Sequence, residues 1–164
     1  MKRWKRALPG AALLLWVASG ALAQAPTNPS VGKWKLNVPK SAFSPAPLYK
    51  SEGRVYEDWG DGLLHARFEG VDTQDKPTFR EYVARPDGRD YPWVRRGAQT
   101  AWTIALKKVD ARTFDFVAKE DGKVVQTGRH SVSADGKVTT VTYKFEQPNA
   151  QGQVMSGTMV FDKQ

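Results

Sequence analysis

The second half of the chain alternates between apolar and polar positions. Over 101–107 Trp102, Ile104 and Leu106 share one face, over 113–118 Phe114 and Phe116 do, and over 139–145 Val141, Tyr143 and Phe145 do. A period of two is the spacing of a strand with one buried face. The last segment sets Met155, Gly157, Met159 and Phe161 on one side against Val154, Ser156, Thr158 and Val160 on the other. The punctuation is equally regular: Asp61-Gly62, Asp87-Gly88, Asp121-Gly122 and Asp135-Gly136 are hairpin turn signals, with weaker turns at 72–77, 95–97, 110–112 and 149–152. The segments between them are rich in Val, Thr, Phe, Tyr and Trp, and none after residue 23 holds a helical period over three turns. With a first strand at Gly32–Leu36, this predicts an all-β fold: an antiparallel, up-and-down, closed β-barrel of about 8–10 strands. Closure follows because an open meander of this length would leave two unpaired edges.

Within the first strand, Trp34 is the expected closure of one barrel end, and Gly32 lets the backbone approach it. Between Val38 and Leu48, Pro39, Pro45 and Pro47 exclude a pair of packed helices and predict an irregular crossing segment, with Phe43 against an end of the barrel. Residues 1–23 have the form of a secretory signal: Lys2, Arg3, Lys5 and Arg6, then an apolar run from Ala11 to Ala18, then Ala21-Leu22-Ala23 before Gln24. That run is shorter than the about 20 residues a membrane span needs. The expected organisation is a cleaved leader over 1–23, a mobile polar segment over 24–30 and one barrel domain over 31–164. The product is expected to be exported, into the periplasm or beyond.

Charge changes the picture little. Four of the 25 basic residues lie in the leader, leaving 21 against 17 acidic ones, with no Lys/Arg run longer than a pair. This is not the footprint of a nucleic-acid binder. There is no Cys, which removes thiol catalysis, thiolate metal sites and redox switching and leaves stability to the apolar core.

Gly32-Lys33-Trp34-Lys35-Leu36, followed by Ser41 and Phe43, resembles the opening of the calycin superfamily, which includes lipocalins and fatty-acid-binding proteins. Phe161-Asp162-Lys163 is similar to the closing Tyr-Glu-Lys of the latter. Over its whole length after the leader the chain resembles exported bacterial proteins described as lipocalin-like. The resemblance implies a barrel whose mouth admits a small hydrophobic molecule, with no cofactor. Met159 and Phe161 stand where fatty-acid-binding proteins carry an Arg-x-Tyr that holds a carboxylate, and Lys163 is the last-strand cation available to cover Trp34.

The facing pattern nominates Phe68, Trp102, Ile104, Phe116, Tyr143, Met159 and Phe161 as walls of a ligand cavity or, equally, as filling of a solid barrel. Tyr82 and Tyr143 offer hydroxyls. Arg129, in Gly128-Arg129-His130, is the first choice of polar anchor, by similarity to an Arg that precedes a turn in fatty-acid-binding proteins. Val124 and Val132 occupy the opposite face, so either orientation of Arg129 stays open. His65 and His130 sit on separate strands without a close ligand partner, so no metal site is assigned, and Asp and Glu are expected at turns and on solvated faces. No nucleophile stands beside a base, and no catalytic motif is present, so an enzyme is not expected. Tyr91-Pro92-Trp93, with Arg95 and Arg96, is either a Pro-bent strand end or a protein contact surface. Two functions follow: an exported binder of a hydrophobic or amphipathic small molecule, or a filled barrel that serves as an envelope interaction or inhibitor module.

Overall fold

Alternation and turn chemistry resolve into eleven strands in the structure, a computed structural model that describes residues 28–164. The expected signal segment 1–23, and 24–27 of the polar leader, lie outside the described residues. The strands are β1 Gly32–Leu36, β2 Ala42–Ser44, β3 Tyr49–Asp58, β4 Leu64–Asp72, β5 Pro77–Ala84, β6 Asp87–Arg95, β7 Trp102–Lys108, β8 Thr113–Glu120, β9 Lys123–Val132, β10 Val138–Pro148 and β11 Val154–Lys163. Each of β3 to β10 pairs antiparallel with the next, and β1 pairs with both β3 and β11. The register Trp34↔Lys163, Lys35↔Asp162 and Leu36↔Phe161 closes a ten-stranded barrel. At the β8–β9 hairpin, Asp121 and Gly122 take φ of 45° and 77°, the left-handed pair that a tight two-residue turn matching strand twist requires.

The Pro-rich segment is shorter and more ordered than a loop. Val38–Lys40 forms one 3₁₀ turn, and Asn37 Nδ2 donates to Asp162 Oδ2 at 2.6 Å, tying the turn to β11. Strand β2 then adds to β11 through Phe43↔Gly157, so Phe43 enters the sheet as an eleventh strand beside the barrel. Among the described residues no helix is long and apolar enough to cross a membrane.

Connections alternate between the two ends. Those after β3, β5, β7 and β9 lie at one end, with the start of β1; those after β4, β6, β8 and β10 lie at the other. The first end is closed. Trp34 is 1% exposed there, and its indole N–H donates to the Ser30 carbonyl at 2.8 Å, the partner that a buried indole needs. Lys163 Nζ lies 5.2 Å from the centre of the Trp34 ring. Ser30 is itself buried, so 28–30 belong to the barrel end and the folded part begins before residue 31.

Candidate functional site

Alternation along β3 places Glu52, Arg54 and Tyr56 on the inner face, and all three are buried. The expectation that acidic residues occupy turns and solvated faces is therefore corrected at Glu52, which is 2% exposed. Isolated carboxylates are costly inside a protein, and Glu52 is not isolated. Arg54 Nε donates to Glu52 Oε1 at 2.7 Å, and Arg80 Nη2 donates to Glu52 Oε2. The Arg54 guanidinium lies between two rings, 4.6 Å from the Phe68 centroid and 4.2 Å from that of Phe161. Burial alone would lower the Arg54 pKa, but the adjacent Glu52 carboxylate reverses this and keeps the guanidinium charged.

Strands β5 and β6 bring a second pair together. Their register sets Arg80 directly opposite Arg95 and Tyr82 opposite Trp93, all on the inner face. Two like charges in a cross-strand pair repel. Burial, then Arg80, lowers the Arg95 pKa. The Arg95 guanidinium stacks 3.8 Å from the Trp102 centroid and 5.2 Å from that of Trp93, at the end away from Trp34. Among the described residues no carboxylate bonds to Arg95. Glu120 acts on it only at longer range, and accepts a hydrogen bond from the Thr100 hydroxyl.

These groups face a cavity of about 50 Å³ that opens toward the Arg95 end. This is room for a few waters or a guest of a few heavy atoms. Phe68, Tyr82, Ile104, Phe116 and Met159 form its apolar wall, while Arg54, Arg80 and Arg95 are its charged members, with no carboxylate among the lining side chains. Gly128 makes room for the wall. A Cβ there would collide with the Phe116 ring and the Thr142 carbonyl, so glycine lets Phe116 lie across β9.

His130 also lines the cavity, stacked on Phe114 with centroids 4.4 Å apart and edge-on to Tyr56 at 5.3 Å. Burial, with Arg54 nearby, pushes its pKa down to about 3, so the ring is neutral at ordinary pH. Neither ring nitrogen has a partner among the described residues; nor do Arg80 Nε or the Trp93 indole N–H, and all are buried.

Of the nominated residues, Phe68, Tyr82, Ile104, Phe116 and Met159 thus meet at one cavity. Trp102 stands at its rim through Arg95. Tyr143 and Phe161 are buried in the wall but do not line the space. Arg129 is corrected: it points to solvent, with Nε donating to Asp115 Oδ1 at 2.6 Å, because His130 and Val132 take the inner face of β9. Val124 is exposed, since a register shift after Ala118 reverses the parity that it would share with Val132. The contact surface over 91–96 is corrected too. Trp93, only 6% exposed, and Arg95 face the interior, while Tyr91 donates its hydroxyl to Asp87. His65 is buried on the outer face of β4 beneath Trp59, between Glu57 at 2.9 Å and Glu81 at 2.7 Å, whereas His130 faces the cavity, so the two do not meet. No cluster of metal-ligating side chains occurs among the described residues.

No family model matches the chain, and no curated protein does. In three dimensions the chain is similar to the crystal structure of Rv2717c from M. tuberculosis, with a TM-score of 0.53 and 12% identity over 83% of this chain and 93% of that one. The likeness is one of fold.

Proposed function

We propose that this protein is an exported carrier or sensor that holds a small amphipathic molecule non-covalently inside the barrel. The observation that carries the reading is the cavity itself: an aromatic and aliphatic wall interrupted by buried nitrogens of Arg80, Trp93 and His130 that have no partner among the described residues. An unmet buried donor or acceptor costs about 1–3 kcal/mol, so such groups gathered on one cavity favour a site that receives polar atoms from a guest. The interaction-module reading loses its support, because Trp93 and Arg95 are turned inward.

Calorimetric titration with propanamide, a small neutral probe, tests the reading. One-to-one saturable binding is expected, weakened in Ile104→Phe, which adds bulk to the wall. A folded protein that shows no saturable binding to this probe overturns it. Export is tested separately by the N-terminus of the protein recovered from culture, which is expected at Gln24.

A further inference from the structure

Resting on that reading, the geometry points to the ligand's chemical class: we infer that the site takes a small short-chain monoanion, whose anionic group lies between Arg95 and Arg80 at the open end. Three observations converge. The interior holds one carboxylate, Glu52, against Arg54 and Arg80, and Glu52 is engaged by both. Arg95 adds a further cation opposite Arg80, with no bonded carboxylate among the described residues. The Arg80 Nε is buried and unpartnered, and Arg80 lines the cavity. An anion placed between the two guanidiniums satisfies that donor and removes the like-charge repulsion across β5 and β6.

The rest of the ligand is set by shape. Trp93 and Trp102 pack edge to face at 6.0 Å, with Arg95 stacked on Trp102, which presents the guanidinium edge for a planar carboxylate. The apolar wall of Phe68, Tyr82, Ile104 and Phe116 lines the same space, and about 50 Å³ accepts a short aliphatic acid of a few heavy atoms but neither an aromatic ring nor a long acyl chain. The site lies on β5 and β6, on a different wall from Met159 and Phe161 of β11. Carboxylate capture here does not use the last strand.

The test compares propanoate with its isosteric amide on the same protein, by calorimetry at fixed ionic strength. The acid is expected to bind about ten- to a hundredfold tighter, the range of a hydrogen bond to a charged group. In Arg95→Gln that ratio collapses toward one, and in Arg95→Lys, which keeps the charge but loses the two-pronged geometry, it falls to an intermediate value. If the amide binds and the acid binds no better, or the ratio survives in Arg95→Gln, the anion assignment is wrong and the cavity reading stands. If neither compound binds the folded protein, both fail. The acid–amide comparison on the unaltered protein decides the matter even where a variant folds poorly.

Discussion

Each end of the barrel sets a cation on a tryptophan, and the two sites treat the indole N–H groups in opposite ways. At the closed end Lys163 covers Trp34, whose indole N–H is bonded to Ser30, and the ring is sealed from water. At the open end Arg95 covers Trp102, but the neighbouring Trp93 N–H has no partner and Arg95 faces Arg80. The closed-end tryptophan has its polar requirement met, as a structural element does; the open-end pair leaves its own unmet beside a cavity. Unmet groups of this kind are rare in native interiors, and they concentrate where function requires them.

The largest expected effect tests that contrast directly. Trp34→Ala should cost about 3–5 kcal/mol in urea denaturation, since it empties a sealed site. Trp102→Ala, at the half-buried rim, should cost less than half of that while weakening propanoate binding. Equal losses of stability would erase the difference between the ends. Next comes Gly128→Ala, which drives a methyl into Phe116 and the Thr142 carbonyl; overpacking of this kind costs about 1–3 kcal/mol and should also reduce binding at the cavity.

The buried imidazole gives a pH signature of the open cavity's interior. His130 has a folded pKa near 3 against about 6.5 when unfolded. Between these values the unfolded chain binds the proton and the folded one does not, so stability is complete above about pH 6.5 and falls as the solution becomes more acidic. The slope approaches about 1.4 kcal/mol per pH unit. Several carboxylates, Asp115 and Asp162 among them, also have lowered pKa values and add their own loss at lower pH. The interval from pH 6.5 to 5 is therefore the informative one. His130→Phe should flatten the stability curve there, and an unchanged slope in that variant would place the proton elsewhere.

How much of this was legible in the sequence depended on parity. Alternation of apolar residues with Asp-Gly turns specified the barrel, because strand period and hairpin chemistry are local properties. The apolar wall followed for the same reason at Phe68, Ile104, Phe116 and Met159. The charged interior did not follow. Glu52, Arg54 and Arg80 look like surface residues until the register brings them together, and their burial depends on partners 28 positions apart, as in Arg80 and Glu52. A signal was present nonetheless: Glu52, Arg54 and Tyr56 occupy one face of β3, and Arg80 shares its face with Tyr82. On β9 a single register shift beside Ala118 decoupled Val124 from Val132 and made parity at Arg129 unreadable.

Arg129 now supplies the smallest effect and the sharpest control. Its guanidinium holds the Asp115 carboxylate on the outer wall, two strands linked by an exposed ion pair, and that bond is what lowers the Asp115 pKa. Exposed pairs contribute little, because water and salt screen them and both side chains must be ordered. Arg129→Ala should therefore leave the denaturation midpoint at neutral pH and the acid–amide affinity ratio unchanged within error. Arg95→Gln removes the same formal charge from the inner face. If the two substitutions altered the ratio alike, the preference for the acid would reflect the overall charge of the barrel; if Arg95 alone matters, it reflects the inner face of β6.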